Sequence, residues 1–173
     1  KREGSAEAWT LYGAALGACG RLEEAREAFQ TAHKQAPKDP AILSELGSIY
    51  VQQGELEKAR GAFVEALECD SGFMAAHLGL GTVEQEAEKP DAAIGRFEAA
   101  LKLEAESVDA WLGLGRAYLA KGALQPSVMA YQKALELSEG APEVLAELAE
   151  VKAELVKSVS GYGGSRAQVG AKA

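Results

Sequence analysis

The sequence predicts an all-α solenoid of helix-turn-helix repeats, and three observations carry that reading. Residues of like size recur at a step of 34. Trp9, Leu43, His77 and Trp111 open the series. Three residues on stand Tyr12, Leu46, Leu80 and Leu114, and four on stand Gly13, Gly47, Gly81 and Gly115. Later columns are Ala25, Ala59, Ala93 and Ser127, then Phe29, Phe63, Phe97 and Tyr131, then Ala32, Ala66, Ala100 and Ala134. Self-similarity at a fixed period of this size marks stacked helical or blade-like units. Second, the spacings inside each copy are helical, because residues three, four and seven apart share one face. Third, no alternating or β-branched run reads as a strand.

The columns have a physical meaning. On the first helix of each copy, a glycine in the apolar stripe lets a partner helix approach closely. On the second helix, alanine, aromatic and alanine at spacings of four and three form one face, and the aromatic fills the space beside that contact. A helical glycine costs about 1 kcal/mol relative to alanine, which the close approach offsets. This answers the nucleotide-loop question raised by Gly113-Leu114-Gly115. A dinucleotide fingerprint needs a third glycine three residues further on, where Tyr118 stands here and Glu84 in the preceding copy. A phosphate loop of the Gly-Lys-Ser/Thr type is also absent, since the segment ends Ala120-Lys121.

Taken in order, residues 1–5 read as a leader. The repeats are 6–39, 40–73, 74–107 and 108–141. Residues 142–157 form a terminal capping helix, and 158–173 a flexible Gly/Ser-rich tail. The start, Lys-Arg-Glu-Gly-Ser, has neither an initiator Met nor an apolar segment, so the chain reads as a fragment or as one whose start was removed. Gly20, Gly54 and Gly122 are placed to end first helices. Pro90 and Pro126 fall in the first turn of second helices, where a missing N–H is harmless. In the cap, Leu145, Leu148 and Val151, with Leu155, form the apolar stripe; Glu143, Glu147, Glu150, Lys152 and Glu154 cover the rest. The tail holds Arg166 and Lys172 and no acid, which fits either a peptide that docks in an acidic groove or a simple linker.

With Trp9/Trp111, the Leu-Gly pairs, Tyr50/Tyr118, Ala25/Ala59/Ala93, the aromatic and alanine columns and Pro37, the chain resembles the tetratricopeptide repeat family over about residues 6–157. The resemblance implies helix-turn-helix units stacked into a right-handed superhelix with a concave groove that holds extended peptides or partner helices. Departures concentrate in the third repeat. His77 replaces the bulky first residue, and Glu84 replaces an aromatic or leucine. Pro37 gives way in later copies to Ser71, Ala105 and Glu139. The third repeat is therefore expected to be weak or specialised.

Composition narrows the function. The net charge of −8 argues against a nucleic-acid footprint and against anionic membranes. No apolar run approaches the ~20 residues of a membrane span. Cys19 and Cys69 sit among small and apolar neighbours at helical spacing and read as buried free thiols, which favours a reducing, cytoplasmic setting. His33 and His77 lie near no cysteine and at no zinc spacing, so neither a metal nor a cofactor is expected. Acids and bases in segments such as residues 22–29 are i,i+3 and i,i+4 surface pairs rather than general acids and bases. The expected role is non-enzymatic.

The groove is expected on a face of the first helices roughly 120° from the packing stripe. The candidate binding residues are Thr10, Ser44, Ser48, Gln52, Leu78, Thr82, Gln85, Asp109, Leu112, Arg116 and Leu119. Leu78 and Leu112 fit either a hydrophobic subsite or packing between repeats, and Arg116 fits a partner carboxylate. Chaperone-tail binders of this family use a clamp of lysines, an arginine and asparagines. Its positions here hold Thr10, Ala14, Glu45, Ala75 and Gly79 in one register and Ser44, Ser48, Gly79, Asp109 and Gly113 in the next, which matches neither. The sequence therefore points to a scaffold for a protein or peptide partner. The alternatives are a recruiting segment of a larger enzyme and a self-associating protein whose tail occupies a neighbour's groove.

Overall fold

A computed structural model describes residues 4–166, with side chains to residue 160. Nine helices lie among these residues: α1 (Ala6–Ala18), α2 (Leu22–Gln35), α3 (Pro40–Gln52), α4 (Leu56–Cys69), α5 (Met74–Glu86), α6 (Pro90–Leu103), α7 (Val108–Ala120), α8 (Leu124–Leu137) and α9 (Pro142–Arg166). The fold is an all-α solenoid of helix-turn-helix repeats. Each repeat is one hairpin, with α1 on α2, α3 on α4, α5 on α6 and α7 on α8. The chain forms two compact units, one holding α1–α6 and the other α7–α9.

Local chemistry sets the helix ends. Ser5, Asp39 and Ser107 are N-caps whose side chains accept from the backbone N–H of Ala8, Ala41 and Ala110. Each first helix closes in the same way. The N–H of Arg21, Glu55, Lys89 and Ala123 donates to the carbonyl of Leu16, Tyr50, Glu84 and Tyr118 respectively. Such a closure puts one residue in the left-handed region. Gly20, Gly54 and Gly122 take it at φ near +75°, and Glu88 takes it at φ 55° in the glycine-free third turn. A side chain there costs on the order of 1 kcal/mol. That is one physical sense in which the third repeat is weaker.

The glycine and aromatic columns meet as the sequence predicts. A Cβ built on Gly13 would lie 3.1 Å from the Phe29 ring, on Gly47 2.7 Å from Phe63, on Gly81 2.6 Å from Phe97, and on Gly115 3.0 Å from Tyr131. The four rings are buried. In the first unit the core runs through Leu16, Phe29, Leu46 and Ile49, then through Leu43, Phe63, Leu80 and Val83. In the second it gathers Tyr131, Ala134, Val144, Leu148 and Val151.

Three expectations change. Cys19 and Cys69 are exposed free thiols, not buried ones. Cys19 caps the end of α1 and Cys69 ends α4, so both stand past the stretch of helix that its partner covers. The buried stripe of α9 is Val144, Leu148 and Val151, while Leu145 is 53% exposed. Leu148 and Val151 of the expected stripe are thus buried, and Val144 takes the place of Leu145. Finally, α9 continues past 157 to Arg166. Within that extension the hydroxyls of Ser158 and Ser160 donate to the carbonyls of Leu155 and Val156. Residues 158–166 of the expected tail are therefore helical, and 167–173 lie outside the described residues.

Candidate partner-binding surface

The sequence-assigned binding residues divide between the two units. In the first, Thr10 is half-buried and Thr82 exposed, and their Oγ1 atoms donate to the carbonyls of Ala6 (2.9 Å) and Leu78 (3.2 Å). Half-buried Ser48 donates to the carbonyl of Ser44 (3.0 Å). Each hydroxyl bonds the turn behind it, so its helix presents a small, uncharged side to solvent. Gln52 is exposed, and Leu78 and Gln85 are half-buried. Ser44 departs from its assignment: it is 6% exposed, and its hydroxyl has no partner among the described residues. Gly79 is beside these residues because of packing. A Cβ there would overlap the Phe63 ring, which Gly47 already meets from its own hairpin.

In the second unit Asp109 is exposed in the first turn of α7. Leu112 and Leu119 are half-buried and pack against the Tyr131 and Leu148 cluster, so packing accounts for both. Arg116 already has a carboxylate. Its Nε and Nη2 donate to Glu147 on α9 at 2.9 and 2.5 Å, and the Tyr131 hydroxyl donates to the same carboxylate at 2.8 Å. This bidentate geometry is the strong form of the pair. The Arg116 guanidinium holds the Glu147 carboxyl below the usual range, with burial opposing. The Arg116 pKa is raised in turn by Glu147. Burial first, and then Glu147, pushes the Tyr131 phenol up.

Two features escaped the sequence reading, although each left a trace. One is the Tyr131–Glu147 bond, signalled by a tyrosine in a column of phenylalanines. The other is the ion pair of Arg60 on α4 with Glu84 on α5. Glu84 is 5% exposed, in a column otherwise held by Leu16, Tyr50 and Tyr118. Arg60 stands in a column with Arg26, Ile94 and Val128. The specialised third repeat is thus one whose acid reaches back to the second. His77, its other departure, places Nε2 3.1 Å from the Ser71 carbonyl.

Two family models described as tetratricopeptide repeat match the chain, at residues 18–81 and 78–142. Solved structures of the same fold are similar along most of the chain. One is an APC/C hetero-tetramer, Cut9-Hcn1, at TM-score 0.78 and 19% identity, covering 86% of this chain and 30% of that one. This chain therefore spans under a third of that relative's length. Another is TTC0263, a thermophilic TPR protein of Thermus thermophilus, at TM-score 0.77 and 20% identity, covering 87% and 83%. A third is residues 41 to the end of MamA from Desulfovibrio magneticus RS-1, at TM-score 0.76 and 20% identity, covering 94% and 96%. No curated protein sequence matches significantly. Among the described residues no helix is long and apolar enough to cross a membrane.

Proposed function

We propose, from the premise that this chain belongs to the tetratricopeptide repeat family, that it is a non-catalytic scaffold whose first helices hold an extended peptide or helix of a protein partner. Repeats of this family are protein–protein interaction modules. The observation that carries the finer reading is the seat of Glu147. There the chain's own α9 lies on α7 and α8, with its carboxylate held by Arg116 and the Tyr131 hydroxyl. The side chains of a repeat thus suit a helix that brings an acid. In the first unit the support is different. Ser48, Leu78 and Thr82 present small or apolar groups and no charge, which suits the close approach of a peptide backbone. The Cut9-Hcn1 structure is of a hetero-tetramer, and assembly with other proteins is the role proposed here.

The test is a pull-down from source-cell lysate read by mass spectrometry. Wild type is compared with Ser48→Arg/Thr82→Arg, with the fold of each checked by circular dichroism. A Leu112→Glu/Arg116→Glu pair is unsuitable, because both residues pack within the second unit. A protein captured by wild type and lost with the variant is the expected result. Equal recovery of all captured proteins would move the binding surface off α3 and α5.

A further inference from the structure

In the first unit, charge is divided between the two kinds of helix. Every Lys and Arg of residues 4–105 lies on a second helix or in a turn. The first helices α1, α3 and α5 carry only acids, which are Glu7, Glu45, Glu84 and Glu86. Arg60 seals Glu84. Glu45 on α3 and Glu86 on α5 are exposed, and neither has an ion-pair partner among the described residues. The helix ends add to this sign. The carbonyl end of a helix is the negative end of its dipole, where a base is favoured and an acid costs stability. His33 and Lys34 stand there on α2 and Lys102 on α6, whereas α1, α3 and α5 have no base in the last turn. Glu86 is the final residue of α5. Neither helix stability nor an internal partner accounts for an acid at that place.

We propose that α3 and α5 take an extended peptide of a partner protein that carries two basic side chains, one for Glu45 and one for Glu86. This rests on the reading of the first helices as the partner-holding surface, and it names the chemistry of what they hold. Glu45 shares a face of α3 with Ser48 and Gln52, at spacings of three and four, and Thr82 stands four residues before Glu86 on α5. The hydroxyls of Ser48 and Thr82 bond their own helices, and the Gln52 amide can bond a peptide backbone. No cation on these helices competes with an arriving Lys or Arg. The 34-residue register sets the spacing. Position 45 corresponds to 79, so Glu86 lies seven positions further along the neighbouring first helix, a rise of about 10 Å. Packed helices stand about 9 Å apart. The two acids are therefore roughly 14 Å apart along a diagonal. Four residues of extended chain span about 13 Å, and an even step keeps both side chains on one side. Lys or Arg at i and i+4 fits both acids, and an acid at either place is repelled.

Selection from a randomised peptide library tests this. The library is selected on wild type, on Glu45→Lys/Glu86→Lys and on Ser48→Arg/Thr82→Arg, with the fold of each checked by circular dichroism. Wild type is expected to enrich peptides with Lys or Arg four residues apart, and Glu45→Lys/Glu86→Lys to lose that enrichment. One such peptide, followed by fluorescence anisotropy, should bind Glu45→Lys/Glu86→Lys roughly tenfold more weakly than wild type, because two exposed pairs become two repulsions. Its binding to wild type should weaken as salt is raised. Glu45→Gln/Glu86→Gln, which removes the charges without reversing them, should give a smaller loss and carries the test if the lysine variant does not fold. Peptides enriched without such a pair, and lost with Ser48→Arg/Thr82→Arg, overturn this inference and leave the scaffold reading standing. Basic peptides enriched equally by wild type and by Glu45→Lys/Glu86→Lys overturn it as well, since their charges are then held elsewhere. A wild-type pool with no enrichment overturns it too.

Discussion

Two seams between repeats can be compared directly, one in each unit. In the first, α4 meets α5. Phe63 is pressed between Gly47 and Gly79, and beside it Arg60 binds a nearly buried Glu84. In the second, α7 and α8 meet α9. Tyr131 takes the place of Phe63 and meets Gly115, but its hydroxyl reaches Glu147, which Arg116 also holds. The Arg116 side chain is 53% exposed, while that of Glu84 is 7%. One column pattern therefore makes two kinds of joint. The first closes on itself and hides its charge, and the second keeps its charge at the edge of solvent. An ion pair out of water depends on its partner far more than one in water does.

The sharpest way to break the comparison is to remove one partner from the first seam. Arg60→Met leaves Glu84 buried and unpaired, and is expected to lower the unfolding free energy by about 3 kcal/mol in urea titrations. Arg60→Ile/Glu84→Tyr installs the residues that the same columns carry as Ile94 and Tyr118. That double variant should fall within about 1 kcal/mol of wild type or exceed it, because replacing a buried pair by apolar groups is often neutral or stabilising. If Arg60→Met is as stable as wild type, the Arg60–Glu84 pair is a surface contact and the contrast fails.

A smaller effect separates the glycines. Gly79→Ala drives a methyl into a Phe63 ring that Gly47 already backs, and should cost about 1–3 kcal/mol. Gly115→Ala meets Tyr131 at 3.0 Å on one side, and its crowding is set against the ~1 kcal/mol gain in helix propensity. It should stay within about 1 kcal/mol of wild type by thermal or urea unfolding. Equal losses at the two positions would mean that Phe63 is no more confined than Tyr131.

The smallest effect is a pH dependence in the second seam. The folded-state pKa of Glu147 is depressed, with its hydrogen bond to Arg116 as the main cause. Its stabilisation is therefore complete above the ordinary value of about 4.5 and is lost as pH falls through the lower folded-state value. Glu147→Gln should be less stable than wild type at pH 7. The gap should narrow as pH drops below 4.5, measured by melting temperature across the series. A gap that stays constant with pH would show that charge plays no part in holding α9.

Much of this architecture is legible in the sequence because it rests on repetition. Gly47 and Phe63 stand at a separation that every copy repeats, and a small group facing a ring is a local fact of one hairpin. The position of Pro90, the left-handed glycines and the caps are equally local. The candidate surface is less legible. Arg116 looks free in the sequence because the acid that holds it is 31 residues on, in a helix that reads as a polar cap. Ser44 looks like a lining residue because periodicity gives a face without saying what covers it, and it is 6% exposed. The apolar stripe of α9 differs at one position for the same reason. Leu145 and Val144 are both apolar, and only the direction from which α8 approaches selects Val144.

The sequence by itself determined the helices, their pairing into hairpins and the glycine–aromatic contacts, because each depends on residues within one 34-residue copy. The tertiary structure alone decided which charges are joined and which faces remain open. Glu84 on a first helix and Glu147 on the terminal helix are both plain acids in the sequence; Arg60 on the preceding α4 seals one, and Arg116 with Tyr131 holds the other at the solvent edge. The energy of a charge depends on its burial and on the neighbour that packing brings within about 3 Å, and neither is set by periodicity.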